Sequence, residues 1–343
     1  MSVAVQRQRM TVANFLRSYG VLLAFVLLLA LFAVKRPDIV INPEFLPRLF
    51  NQNAAVGIVA IGMTLVIISG GIDLSVGSMM GLTASLGILA LNKLIGGGTP
   101  EGQAAIGAVA VSSLVGLFLG MLNGTIITLG RIAPFIVTLA GMAAYRSMTV
   151  VLASGGEIRS SSVETFSELG RGGISVPFLQ LEGGRSLILT WPVIVFLLCA
   201  LIAGFLLNWT RYGRHLIAVG ANERAAIYSA INTNKIKVIT YSLMGLFTGI
   251  ASIGLAGRMN SVSTAQMGLY YELDAIAAVV IGGTSMTGGK GRIWTTVVGV
   301  LLLGLISTML TTFGVSQYWQ GAVRGVIILL AVLIQRGQSD QEG

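Results

Sequence analysis

Between Ile68 and Ser78 an apolar stretch is interrupted by Gly70-Gly-Ile-Asp-Leu-Ser-Val-Gly-Ser78, which brings together one carboxylate, two hydroxyls and three glycines. Polar backbone at membrane depth survives only where protein or water solvates it. One reading of this segment is a broken helix lining a polar pathway, with Asp73 fixing the break or, with Ser75, meeting substrate hydroxyls. The other is a tight cytoplasmic turn in which Asp73 caps a helix from Leu74 onward. Arg146 and Arg324 also lie inside apolar runs. An arginine there costs at least about 2.5 kcal/mol and turns toward protein or water, or snorkels along its stem to an interface, so both are candidates for the pathway. Glu272 and Asp274 stand at the start of an apolar run, where acids complement a helix N-terminus.

Other chemistries find too few groups. Gly282-Gly-Thr-Ser-Met-Thr-Gly-Gly-Lys-Gly-Arg292 superficially resembles a phosphate-binding loop, but Thr284 and Gly291 stand where such a loop needs Gly and Ser or Thr. The chain therefore has no ATP site of its own. The single cysteine, Cys199, sits in an apolar run, and the single histidine, His215, has no other metal-type ligand close in sequence. Neither a metal centre nor a nucleophile with its base can be assembled from them. No cofactor and no enzymatic activity are expected.

The elements that must position these residues follow from composition. Of 343 residues, 54% are hydrophobic and only 10% charged, and the mean hydropathy is +0.85. Soluble domains carry roughly 25% charged residues, so this chain cannot cover a water-facing surface. The 45 glycines suit helices whose backbones approach closely where lipid supplies no hydrophobic drive for packing. The expected fold is an all-α polytopic membrane protein. A crossing takes about 20 apolar residues, and charge clusters, Pro and Gly-rich breaks divide the chain into ten such spans: 16–34, 51–69, 73–92, 104–128, 134–153, 190–209, 235–256, 272–286, 293–312 and 317–335. The first follows Arg7, Arg9 and Arg17 without a small-residue cleavage site, which reads as a retained signal anchor.

Ten spans place both termini on one side. If that side is cytoplasmic, the inner segments hold twelve Lys/Arg (Arg7, Arg9, Arg17, Arg131, Arg211, Arg214, Arg224, Lys235, Lys237, Lys290, Arg292, Arg336) and the outer loops eight, the latter nearly balanced by seven acids. This is the positive-inside bias, so the net charge of +9 reflects topology and anionic lipid and calls for no nucleic acid. The longest outer loop, 154–189, is Gly- and Ser-rich and offers a docking surface. The longest inner connection, 210–234, divides the single transmembrane domain of residues 1–343 into halves 16–209 and 235–335. In it Asn222 can cap a short amphipathic helix whose first turn carries Glu223. Aligning Ile68–Gly77 with Val280–Gly289 at an offset of 212 matches three glycines, the pattern of an internal parallel repeat in a transporter.

Four segments together resemble the membrane (permease) subunit of ribose-type ABC sugar importers: Gly62 to Ser78, Pro134-Phe-Ile-Val-Thr-Leu139, the run Gly213 to Lys237, and Tyr271 to Ser285 continuing through Gly288-Gly-Lys-Gly-Arg292. The resemblance covers about residues 40–335. It implies a multi-pass protein of the bacterial cytoplasmic (inner) membrane that translocates a monosaccharide, ribose or a related sugar. Its implied partners are a second permease subunit in a homodimer, a cytoplasmic ATP-binding subunit and an extracytoplasmic sugar-binding protein. The helix near Ala221–Ala230 corresponds to the coupling segment such permeases insert into the ATPase, so Gly220, Asn222, Glu223, Arg224, Ala225 and Ala226 are candidate coupling residues. Small residues at 225 and 226 would let the helix sit deep in the partner's groove, with Glu223 and Arg224 pairing at its rim. Where the family more often has Ser-Gly, this chain has Ser229-Ala230, so a tight turn at that helix end is in question. The alternative is an ion-coupled secondary sugar transporter, which would be expected to hold paired ionisable groups at the midplane.

Overall fold

The computed structural model describes residues 12–180, 186–316, 319–323, 325–327 and 329. Among the described residues, seven helices are long and apolar enough to cross a membrane: α3 (Phe45–Ile68), α4 (Val76–Gly96), α5 (Glu101–Gly130), α6 (Pro134–Leu152), α8 (Trp191–Trp209), α11 (Thr233–Met259) and α13 (Ile293–Thr312). Before them come α1 (Val12–Lys35) and the single turn α2 (Pro37–Val40). The run expected as a span at 272–286 folds as α12 (Tyr271–Ile281), which at 1.5 Å per residue is too short to cross. The Gly282-Gly283 pair stops it, Gly283 taking the left-handed φ of +81° that favours glycine.

Helices α3 and α11 form the centre of the bundle, and one hydrophobic cluster joins residues of both expected halves, among them Ile61, Met63, Phe196, Met244, Ala275 and Val300. The tightest pairing is α5 on α11. A Cβ at Gly116 would strike the backbone of Gly245, one at Gly120 that of Tyr241, and one at Gly245 that of Gly116. Two glycine faces therefore let the helix backbones touch, which maximises dispersion where lipid offers no competing hydrophobic gain. Hydroxyls add direction. Thr83 Oγ1 of α4 donates to Ser252 Oγ of α11 (2.8 Å), Ser112 Oγ of α5 donates to the Thr83 carbonyl (2.8 Å), and Thr64 of α3 meets Thr296 of α13 (2.8 Å).

The segment expected as an open loop at 154–189 is structured. Strand β1 (Glu157–Arg159) pairs antiparallel with β4 (Ser261–Ser263), with Ile158 opposite Val262. Around it, the Ser261 hydroxyl and Arg159 hold the Glu157 carboxyl below the usual carboxylate range. The amphipathic helix α7 (Val163–Arg171) lays Phe166 against the core, and β2 (Gly173–Gln180) pairs with β3 (Ser186–Thr190). β-Branched residues at 174, 176 and 188 favour the ribbon over a free loop. At the opposite end of the bundle lie α9 (Arg211–Ala221) and α10 (Glu223–Tyr228), two helices where one was expected.

Candidate functional site

The break at 69–75 is present, with Gly70 exposed, Ile72 and Leu74 partly buried, and the polar side chains of Ser69, Asp73 and Ser75 enclosed. Helix α3 ends in a Schellman cap, with Gly70 at φ +82°, Gly70 N–H donating to the Ile67 carbonyl and Gly71 N–H to that of Val66. The chain then runs without helix to Ser75, and α4 begins at Val76. Asp73 and Ser75 are both fully buried. Asp73 Oδ1 accepts from the Ser75 backbone N–H (2.9 Å) and from its hydroxyl (2.6 Å), an Asx turn that replaces the helical hydrogen bond lost at the break. The chain continues outward from there. Asn123 Nδ2 of α5 donates to Ser75 Oγ (3.0 Å), and the Tyr145 hydroxyl of α6 donates to Asn123 Oδ1 (2.8 Å). Above it the freed Ile72 carbonyl accepts from Tyr241 of α11 (3.3 Å) and Thr138 of α6 (3.4 Å).

This geometry gives Asp73 and Ser75 a framework role: they organise the non-helical segment and tie it to α5, α6 and α11. Asp73 Oδ2 is buried without a hydrogen-bond partner among the described residues, so the carboxyl does its bonding through one oxygen. Asn123, Tyr145, Thr138 and Tyr241 complete the network and escaped the sequence reading. A lone amide within the apolar run of α5 was the available signal, because an amide in lipid seeks a partner on another helix.

Arg146 is half-buried on α6. Its Nη1 donates to the carbonyls of Thr264 (3.1 Å) and Met267 (3.0 Å), and Glu272 is near enough to interact electrostatically. The partners belong to the non-helical segment 264–270 that leads into α12. This segment presses on α4, where a Cβ at Gly77 would strike both Gly268 and Glu272. Arg146 thus clamps a second interruption of regular structure, one helix away from Asp73. Arg324 lies outside the described residues.

At the end of the bundle that carries α9 and α10, a third group of residues meets. The Gly289 N–H donates to the Ile68 carbonyl at the end of α3 (2.9 Å). Gly220, at the end of α9, packs on both, since a Cβ there would strike the Ile68 carbonyl and lie 2.6 Å from Gly289 N. Gly220 therefore faces this chain's own core, and so does Ala226, which is only 4% exposed and belongs to the central cluster. The expected insertion of Ala226 into a partner groove does not survive this burial. Glu223 pairs with Lys237 Nζ (2.6 Å) and not with Arg224. Asn222, Glu223, Arg224 and Ala225 are exposed, and Asn222 Oδ1 accepts from Ala225 N–H (3.0 Å), the expected cap. Beside them stand Ile227 (55% exposed) and Tyr228 (90%), an apolar tip that the sequence reading did not single out. The tight turn in question forms nonetheless, with Ala230 at φ +59° and Ile231 N–H donating to the Ala226 carbonyl (3.0 Å).

Comparison with known proteins matches residues 46–332 to the family described as branched-chain amino acid transport system / permease component. The ribose import permease of Escherichia coli (strain K12) is 40% identical over 91% of this chain and 92% of its own length. That of Bacillus subtilis (strain 168) is 38% identical over 88% of each chain. The D-allose transport system permease of Escherichia coli (strain K12) is 30% identical over 98% of this chain and 96% of its own. The matched span contains the Asp73 break, the Arg146 clamp and the α9–α10 pair, and on this ground the chain belongs to that permease family, as a member similar to the ribose import permeases.

Proposed function

We infer that the chain is the membrane permease of an ABC importer and carries a monosaccharide, ribose or a related sugar, across the bacterial inner membrane. The observation that carries this reading is the 40% identity to a ribose import permease along nine-tenths of the chain. The family description names branched-chain amino acids, but the similar relatives are named for ribose, D-allose, xylose and L-arabinose. On this reading the chain is a transport subunit, ATP is hydrolysed by a cytoplasmic partner, a soluble sugar-binding protein delivers the substrate, and two copies of the permease form the pore. The ion-coupled alternative gains no support from Asp73 or Arg146, which are engaged in holding backbone.

The architecture proposed is ten crossings in one domain, counting α1, α12 with the segment before it, and the helical residues near 319–329, with both termini cytoplasmic. The internal repeat gains a geometric argument. Gly283 N–H donates to the Val280 carbonyl and Thr284 N–H to that of Val279, repeating at an offset of 213 the cap that ends α3. The glycine identities aligned at 212 are thus one residue out of structural register. Coupling is assigned to the exposed residues of α10, with Gly220 passing its movement to Ile68 and so to the Asp73 break. Co-purification with an ATPase subunit, and uptake of labelled ribose into proteoliposomes holding the complex, binding protein and internal ATP, test this reading. Uptake that persists without ATP and follows an ion gradient would overturn it.

A further inference from the structure

A pocket of about 220 Å³ opens at the end of the bundle that carries α7, between α3, α8 and α11, with Leu169 of α7 on its wall. Its chemistry changes with depth. The deep wall is Ala55, Ile58, Val195 and Ala251, with no hydrogen-bonding side chain. The mouth holds Asn51, Gln52, Trp191 and Arg258. Trp191 is the first residue of α8 and Trp209 the last, so the two indoles bracket that helix as aromatic residues do at the two membrane interfaces. The mouth is therefore level with the headgroups and the deep wall with the acyl chains. Helices α8 and α11 make few contacts with each other, and a Cβ at Gly254, which faces the pocket from α11, would meet no atom within 4 Å.

We propose that this pocket holds one acyl chain of a membrane phospholipid, with the lipid's phosphate at Arg258. A hydroxyl-rich sugar finds no hydrogen-bonding partner along the deep wall. An apolar slot with a cation at its headgroup end fits an amphiphile: burial of methylenes supplies affinity and the guanidinium selects the phosphate. Asn51 adds a polar group at the same level, its buried Oδ1 having no partner among the described residues. This site is separate from the Asp73 break and does not depend on which sugar is carried.

Native mass spectrometry of the full chain, titrated in detergent with 1-palmitoyl-2-oleoyl-phosphatidylglycerol, tests the proposal. The wild type should retain one lipid per chain with saturation, and sn-glycerol 3-phosphate, which lacks acyl chains, should not displace it. Gly254→Phe extends a ring into the slot from a Cβ that meets no neighbour and should weaken retention at least about tenfold, with helical content and melting midpoint unchanged. Arg258→Gln should weaken it at least about fivefold. If Gly254→Phe does not assemble, Gly254→Val enters the same space and makes the same test. Lipid that accumulates without saturation, or equal retention by wild type and the Gly254 variant, means annular contact only and overturns the site. Loss in the Gly254 variant alone, with Arg258→Gln at wild-type level, overturns the headgroup assignment.

Discussion

At Asp73 the decisive quantity is the number of donors left stranded when the side chain changes. Two Ser75 donors converge on Oδ1, and an unsatisfied buried donor costs about 1–3 kcal/mol. Asp73→Ala removes the acceptor for both, so it is expected to lower the melting midpoint and cut sugar uptake at least tenfold. Asp73→Asn keeps an oxygen in the Oδ1 position for both Ser75 donors but puts an amide N–H pair where Oδ2 makes no bond among the described residues, so it is expected to lower the midpoint while retaining more uptake than the alanine variant. Wild-type uptake and midpoint in the alanine variant would remove Asp73 from the framework; a dead asparagine variant of normal stability would show that the charge matters. Ala230 offers a second test. Its left-handed conformation costs a non-glycine residue about 1–2 kcal/mol, while glycine's greater unfolded freedom returns about 0.5–1 kcal/mol of that. Ala230→Gly should therefore stabilise by roughly 0.5–1 kcal/mol, visible as a raised melting midpoint, and a lowered midpoint would refute the strain argument.

For the helices, the sequence was readable where one segment decided its own state. The cap at Asn222 is local, and so is the break at Asp73, where glycines and a carboxylate interrupt an apolar run; both stand where expected. The shortness of α12 was not readable, because hydropathy continues through Gly282 and only the left-handed turn at Gly283 ends the helix. Nor were the partners of Ser75, since Asn123 and Tyr145 come from two other helices and no periodicity announces a contact between them. The orientation of α10 belongs to the same class: helical spacing does not say which side its own protein covers. With Ala226 buried, Ala226→Trp must overpack the core, costing about 1–3 kcal/mol, and should depress expression before it reports on any partner. The informative position is Tyr228, 90% exposed at the tip. Tyr228→Ala should leave the melting midpoint unchanged and reduce sugar-stimulated ATP hydrolysis by the reconstituted complex several-fold. Unchanged hydrolysis and complex formation would exclude the α10 tip from coupling.

In the membrane, the whole molecule has two distinct ends, one with α7 and the two β-ribbons and the other with α9, α10 and the glycine contacts around Ile68. On the proposed ten-span topology the division of Lys and Arg, twelve against eight, puts the second end in the cytoplasm, and side-chain exposure decides which positions can test it. Ser162, in the expected outer loop, is 3% exposed and donates to Glu101 (2.5 Å), so a thiol there would be silent on either side. Glu164 on α7 is exposed, as is Tyr228 at the far end. In a Cys199→Ala background, which removes the one native thiol, Glu164→Cys should react with an impermeant maleimide in intact cells. Tyr228→Cys should react only after permeabilisation. Ser2→Cys and Ser339→Cys, both outside the described residues, should behave as Tyr228→Cys does if the chain crosses ten times. Labelling of Tyr228→Cys from outside would invert the molecule and with it the coupling assignment. Labelling of only one terminus from outside would leave the orientation of the bundle intact and make the number of crossings odd.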